Sequence, residues 1–108
     1  MASHDATSSE SIGIEEIRDA AQVIADGVSV TPCPESSRLS QQTGARVFCK
    51  LENLQRTGSF KERGAAYALA RLADEAKQAG VVAAAAGNHA QALAYHAGRL
   101  DIAATVVM

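Results

Sequence analysis

Apolar residues near the start of the chain recur at helical spacing, at Ile14, Ile17, Ala21, Ile24 and Val28. Charged side chains occupy many of the positions between them, so the segment has one apolar face. This pattern predicts a surface helix with one buried stripe, and Gly27 marks its expected end.

Two prolines and a glycine divide the segment that follows. Pro32 and Pro34 predict extended backbone, because each disfavours the α conformation in the residue before it. A short helix is expected at 36–42, stopped by Gly44. The side chains at 46–51 alternate in character, which predicts a β-strand.

An alanine-rich helical pattern occupies 61–78, and Gly80 ends it. A short apolar run at 81–86 then predicts a buried strand, a helix is expected at 89–98, and 102–107 predicts a further strand. Strand, helix and strand within about 27 residues form a βαβ unit, whose strands pair in parallel. The predicted fold class is therefore α/β, a partial parallel sheet with flanking helices.

The helix start near residue 61 carries a candidate for chemistry. Thr57-Gly58 is a turn signal, and Ser59 followed three residues later by Glu62 is the sequence form of a capping box. Lys61 then falls in the first turn, where the helix dipole and burial favour the neutral amine that attacks carbonyls. The alternative is an ordinary surface lysine, which is the commoner role for an isolated lysine at such a position.

Two helix starts, at Ser59 and near Asn88, follow predicted strands. In an open parallel sheet those turns lie at the carboxyl ends of the strands, where such sheets bind ligands. Free N–H groups at helix starts also attract anions such as a carboxylate. The pattern therefore places Lys61 and the 87–91 loop on one rim, with a plain connection capped by Asn88 as the alternative.

Composition argues against several classes of partner. The 108 residues are 47% hydrophobic with a net charge of −2, which gives no basic surface for nucleic acid. No apolar run is long enough to span a membrane, and the N-terminus lacks the apolar core of a signal peptide. Cys33 and Cys49 lack metal-ligand spacing and are expected to be reduced thiols of a cytoplasmic protein.

The remaining polar segments receive structural interpretations. Residues 1–11 are small and polar and are expected to form a disordered leader, with 12–108 as the folded part. His96 lies near the same helical face as His89, but a metal site needs more ligands, so we expect His96 at the surface or partly buried. Arg63 is expected to lie at the surface or to contact another element.

The segment Glu52-Asn-Leu-Gln-Arg-Thr-Gly-Ser-Phe-Lys-Glu-Arg-Gly-Ala65 resembles the lysine segment of the threonine/serine dehydratases. A second block, Ala86-Gly-Asn-His-Ala-Gln91, resembles the second signature of that family and follows at a similar spacing. These dehydratases are fold-type II (tryptophan synthase β-like) pyridoxal-phosphate enzymes. The similarity extends from about residue 14 to residue 108, so the chain resembles the N-terminal part of such an enzyme.

The resemblance implies a role for each matched residue. Lys61 would bind pyridoxal phosphate as a Schiff base and move the α-proton of the substrate, and Phe60 would pack against the cofactor ring. Asn88 would hydrogen-bond the ring oxygen. The substrate carboxylate would be held by the second block, at Ala86, Gly87, Asn88, His89 and Gln91.

The family reaction is a β-elimination that converts L-threonine to 2-oxobutanoate and ammonia, or L-serine to pyruvate. Serine racemase, a close alternative, has serine at the position of Ala86, so alanine there favours elimination over racemisation. A further alternative is a non-catalytic remnant that only binds the cofactor. The resemblance also implies a homo-oligomeric full-length enzyme.

Two departures from the family pattern bear on these expectations. Ala85 stands where the family usually has serine, so a hydroxyl near the substrate carboxylate is missing. The phosphate-binding loop and second domain of the family have no counterpart up to Met108, and the chain ends on an apolar strand. We therefore expect a truncated form of the catalytic domain, inactive by itself.

Overall fold

A computed structural model describes residues 11–108 as five helices, one 3-10 turn and two strands. The predicted leader at 1–11 therefore lies outside the described residues except for Ser11. In chain order the elements are α1 (Ile14–Ile24), α2 (Ser37–Thr43), the 3-10 turn (Glu52–Leu54), α3 (Lys61–Ala70), α4 (Asp74–Ala79), β1 (Val81–Ala84), α5 (Asn88–Arg99) and β2 (Ala104–Val107).

The two strands form a parallel sheet with α5 as the crossover helix. Val81 pairs with Ala104, and the register continues to Ala84 opposite Val107. The predicted βαβ unit and the α/β fold class are confirmed. Each strand is shorter than predicted at one end, which is the ordinary uncertainty of element boundaries.

The core lies where α3 packs against α5. Both helices present small residues at this interface, so their backbones approach closely. Leu69, Leu93 and Ile102 add the larger apolar side chains of the cluster, each less than a tenth exposed. The fully or almost fully buried alanines are Ala65, Ala66, Ala92 and Ala97. On the other side, α1 packs against α3.

The predicted strand at 46–51 is wrong, because the structure shows only one antiparallel bridge there. The N–H groups of Cys49 and Leu51 donate to the carbonyls of Pro34 and Pro32, at 2.9 and 3.0 Å. The reciprocal bonds of a ladder cannot form, since proline has no N–H to donate. The segment is therefore extended but only half hydrogen-bonded.

The predicted helix at 61–78 is interrupted between α3 and α4. Arg71 ends α3 with ψ near 0°, and Ala73 is extended before the second helix begins. The break lets Leu72 pack against the core cluster. The signal that the sequence offered was the acidic pair Asp74-Glu75, which is favourable in the first turn of a helix.

None of the helices between residues 11 and 108 is both long and apolar enough to cross a membrane.

Candidate active site

Lys61 is the first residue of α3 and its side chain is exposed. Its ammonium nitrogen lies 5.5 Å from the ring centroid of Phe60, which is itself 66% exposed. The prediction that Lys61 is buried is therefore wrong in the part of the chain that the structure describes. An amine beside an aromatic ring stands open to a ligand at this helix start.

The cap of α3 differs from the predicted capping box. The helix begins one residue later than a Ser59 cap requires, so Glu62 occupies the second rather than the third helical position. Ser59 Oγ accepts a hydrogen bond from the Lys61 N–H at 3.2 Å. Glu62 Oε1 accepts from the Thr57 N–H at 2.6 Å, which fixes the turn at Gly58, where φ is 83°. Glycine suits that left-handed conformation.

Glu62 and His96 form a buried pair between α3 and α5. Glu62 Oε2 lies 2.9 Å from His96 Nε2, and both side chains are fully buried. Burial by itself raises the pKa of Glu62, but hydrogen bonds from Thr57 and from His96 outweigh it and lower the pKa. The prediction that His96 is at the surface or partly buried is wrong.

A second carboxylate fixes the segment that precedes Lys61. Glu52 accepts from Arg63 Nε at 2.6 Å, from Arg63 Nη2 at 3.1 Å and from the Thr31 hydroxyl at 2.6 Å. The two-pronged hydrogen bond from Arg63 is the main reason that the pKa of Glu52 falls to about 2. Arg63 thus makes the expected contact between elements.

Gln55 anchors the same segment to the chain after α1. Its side chain accepts from the Ser29 N–H and donates to the Ser29 carbonyl, both at 2.9 Å, and Gln55 is 4% exposed. The backbone leading to Lys61 is therefore held at several points, although Lys61 itself is open.

The second block forms the start of α5. Gly87 precedes the helix, Asn88 is its first residue, and the Gln91 N–H donates to the Gly87 carbonyl at 3.1 Å. The N–H groups ahead of Gln91 have no partner within the helix, so this turn can receive an anion. Ala86, Gly87, Asn88, His89 and Gln91 are all exposed.

A cavity of about 230 Å³ lies between α3, α5 and β1. Gly64 and Ala65 of α3 line one side, and His89 and Leu93 of α5 line another, with β1 as the floor. His89 thus lines the same cavity as Gly64 and Ala65 of α3. Among residues 11–108, no hydrogen bond or ion pair joins Lys61 to the second block.

The three lysines of the chain differ in what engages their amines. Lys50 Nζ donates to the Thr31 carbonyl at 2.6 Å, and Lys77 Nζ donates to the Ala70 carbonyl at 3.4 Å. The Lys61 amine makes no hydrogen bond or ion pair within the described part of the chain. It is the amine best placed to react with an external carbonyl.

These groups fit the chemistry of pyridoxal phosphate. An accessible amine suits its aldehyde, the Phe60 ring suits its pyridine face, and the Asn88 amide can hydrogen-bond its ring oxygen. The N–H groups at the start of α5 suit the carboxylate of an amino acid bound beside it.

Comparison with known proteins identifies the family. The sequence model of one protein family, described as pyridoxal-phosphate dependent enzymes, matches residues 24–108. The chain belongs to this family, as the lysine segment and the second block indicate.

The particular relatives support the resemblance to threonine dehydratases. The L-threonine ammonia-lyase of Thermotoga maritima is 47% identical over 97 residues, covering 90% of this chain and 24% of that protein. The L-threo-3-hydroxyaspartate ammonia-lyase of a Pseudomonas species is 55% identical over 78 residues, covering 72% of this chain and 24% of that protein.

Solved structures confirm the fold. The serine racemase of Dictyostelium discoideum superposes with a TM-score of 0.81 at 36% identity, covering 89% of this chain and 32% of that one. The processed form of threonine deaminase isoform 2 from Solanum lycopersicum superposes with a TM-score of 0.75 at 34% identity, covering 88% and 28%. The chain spans about a quarter to a third of the length of these relatives.

Proposed function

We propose that this chain carries the lysine half of an active site that deaminates L-threonine by β-elimination, in which water is lost first and is taken up again when the resulting enamine hydrolyses. The products are 2-oxobutanoate and ammonia, and L-serine gives pyruvate in the same way. The observation that carries the proposal is the open Lys61 amine beside Phe60, in a family that depends on pyridoxal phosphate. The relatives named as threonine ammonia-lyases support threonine as the substrate.

Lys61 has two tasks in this proposal. Its amine would hold the aldehyde carbon of pyridoxal phosphate, and the same amine, once free, would take the α-proton of the bound substrate. The bound cofactor supplies the electron sink that makes this proton acidic. Because no hydrogen bond or ion pair engages the Lys61 amine within residues 11–108, it is available for both tasks.

The start of α5 has the task of orienting the substrate. The N–H groups of the 86–91 turn, together with the side chains of His89 and Gln91, bind the α-carboxylate. Asn88 would hydrogen-bond the ring oxygen of the cofactor, and Phe60 would pack against the ring. The substrate hydroxyl then leaves as water from the carbon next to the one that lost its proton, and hydrolysis of the resulting enamine consumes water and releases ammonia.

Turnover by a lysine variant tests the proposal. Lys61→Ala in the full-length protein should lower 2-oxobutanoate formation by at least about a thousandfold, because one group both holds the cofactor and moves the proton. Lys77→Ala is the matched control, since its amine is already bonded to the Ala70 carbonyl. Equal activity in the two variants would refute the role of Lys61.

Racemisation of serine is the second candidate function. The observation that favours it is the superposition on serine racemases, with TM-scores of 0.76 and 0.81. Ala86 offers no acid or base to the opposite face of the substrate, so we expect pyruvate rather than D-serine from L-serine. D-serine formed faster than pyruvate would favour the racemase instead.

The non-catalytic alternative is tested by the same assays. A full-length protein that binds pyridoxal phosphate at Lys61 but turns over neither threonine nor serine would support it. Relatives with biosynthetic and catabolic names both occur, so isoleucine biosynthesis is one of two metabolic settings for the proposed reaction. A cytoplasmic location and a homo-oligomeric full-length enzyme stay predictions.

A further inference from the structure

The buried Glu62–His96 pair has no part in the reaction proposed above. Glu62 follows Lys61 directly, while His96 lies in the third turn of α5. Their side chains meet at 2.9 Å although the residues are 34 positions apart. Neither side chain has any surface accessible to water or to a ligand.

Each end of the pair has a further partner. Glu62 Oε1 accepts from the Thr57 N–H, so the carboxylate joins the turn before Lys61, the first turn of α3 and α5. Arg99 Nε donates to His96 Nδ1 at 3.4 Å. These partners assign the proton of the imidazole to Nε2, from which it is donated to Glu62.

Besides Leu69 and Leu93, the side chains packed between α3 and α5 are mostly small. The interface is lined mainly by alanines, including Ala65 and Ala92, whose small side chains permit close approach but do not interlock. Within the described residues, Glu62–His96 is the one side-chain hydrogen bond between these two helices. A charge-assisted bond is directional, so it fixes the register that the alanines leave free.

We propose that Glu62 and His96 are positioning residues that fix the Lys61 end of α3 relative to α5. The inference rests on the proposed function, since α5 carries Asn88 and the turn that orients the substrate. A buried ionic pair is often no more stabilising than apolar residues of similar size. Its use here is therefore geometric: Lys61 and the second block lie on separate helices, and the pair holds them in one arrangement.

The test replaces the pair by apolar residues that keep the core filled. The double variant Glu62→Leu/His96→Phe of the full-length holoenzyme should remain folded, with its melting temperature close to that of the wild type. Its kcat should fall about 10- to 100-fold, because small displacements of reacting groups have effects of that size. The pH midpoint of the absorbance band of the lysine-bound cofactor should also move.

Leu69→Ala is the matched control. Leu69 lies on the same helix and packs into the same core, but it makes no side-chain hydrogen bond to α5. It should lower the melting temperature while leaving kcat within about threefold of wild type and the absorbance titration unchanged. Glu62→Gln should also lower kcat, because its NH2 group would face either the Thr57 N–H or the His96 Nε2–H, both of which are donors.

The outcomes separate the two proposals. A wild-type holoenzyme whose cofactor is not attached to Lys61 would overturn the proposed function and this inference with it. Attachment at Lys61, with the double variant equal to wild type in kcat and absorbance titration, would overturn the positioning role alone. A double variant that does not fold would also overturn it, because the pair would then be needed for the core itself.

Discussion

At the scale of single residues, the carboxyl group of Glu52 has a pKa well below its ordinary value. Its pKa falls from the ordinary 4.5 to about 2, chiefly because Arg63 donates two hydrogen bonds to it. A carboxyl group whose pKa is lowered by folding stabilises the folded state at pH values above its unfolded-state pKa. That contribution is lost as the pH falls through the folded-state pKa of about 2. The segment before Lys61 is thus sensitive to acid.

We predict that Glu52→Gln lowers the free energy of unfolding of the full-length protein by about 2 kcal/mol at pH 7. The full linkage value is larger, but Arg63 is 38% exposed and solvent screens the pair. Urea unfolding at pH 7 and pH 3 measures the effect, and the difference between wild type and variant should shrink at pH 3.

Glu35→Gln is the control for that prediction. Glu35 also pairs with an arginine, but its 3.4 Å contact with Arg46 is exposed, so we expect a change below about 0.5 kcal/mol. A Glu52 variant as stable as the Glu35 variant would show that the network around Glu52 does not hold this segment.

Ala85 gives a prediction about the substrate site. It follows β1, and its N–H donates to the Val107 carbonyl at 3.1 Å, so its side chain stands at the carboxyl end of the strand. Ala85→Ser restores a hydroxyl that can donate to the substrate carboxylate, a bond worth roughly 1.5–3 kcal/mol. The KM of the full-length enzyme for threonine should fall about tenfold or more.

The control for this substitution is Ala84→Ser, one residue earlier in β1. Side chains of successive strand residues point to opposite faces, so this hydroxyl should leave KM unchanged. A KM for Ala85→Ser equal to that of the wild type would mean that backbone N–H groups already satisfy the carboxylate.

At the scale of elements, Gly80 determines how α4 joins the sheet. Its φ is 89°, and a Cβ there would lie 2.9 Å from the Ala103 carbonyl oxygen beside β2. We predict that Gly80→Ala lowers the free energy of unfolding by about 1–3 kcal/mol, since backbone strain and the close contact add. Thermal unfolding of the full-length protein measures the effect.

Gly98 supplies the matched substitution on another element. It lies in α5 with nothing within 4 Å of an added Cβ, so Gly98→Ala should raise stability by about 0.5–1 kcal/mol. If both alanines had the same effect, the close packing of β1 and β2 at Gly80 would be in doubt.

The elements show what the sequence could predict. Helical periodicity predicted α1 and α3, the turn at Gly87-Asn88 predicted the start of α5, and the apolar runs predicted β1 and β2, because each of these patterns is local. The predicted strand at 46–51 was wrong because its hydrogen bonds depend on the facing segment. That segment contains Pro32 and Pro34, which have no N–H groups to donate in return. The prediction of one continuous helix over 61–78 also failed. The helix breaks after Ala70, where Leu72 packs against the core.

The candidate site was predictable only in part, because some of its contacts join segments that are distant in the sequence. The lysine segment and the second block are continuous in sequence, so their match to a family was visible. The sequence predicted a cap at Glu62 and a surface or half-buried position for His96, because nothing local shows that they meet across two helices. Their pairing depends on how α3 packs against α5.

At the scale of the whole molecule, the chain leaves much apolar surface exposed. Val30 is 95% exposed, Val82 on β1 is 74% exposed and Val107 on β2 is 56% exposed. A sheet of two strands is marginally stable in water. The chain also spans only 24% of the Thermotoga maritima relative.

We predict that the 108-residue chain expressed alone retains pyridoxal phosphate weakly and makes no detectable 2-oxobutanoate. The doubly charged phosphate of the cofactor binds best to a nest of several N–H donors. The roles proposed for residues 11–108 include the ring and the substrate carboxylate but no nest for this phosphate. Dialysis against cofactor-free buffer and size-exclusion chromatography measure retention and association. A monomer that unfolds cooperatively and turns over threonine would contradict this prediction.

The central claim is that Lys61 is the amine that binds the cofactor, and its most direct test is chemical trapping. The full-length protein is loaded with pyridoxal phosphate, reduced with borohydride, digested and mapped by mass spectrometry. We predict the pyridoxyl group on the peptide that contains Lys61, and none in the Lys61→Ala variant. A label on Lys50 or Lys77, with Lys61 unmodified, would contradict the account.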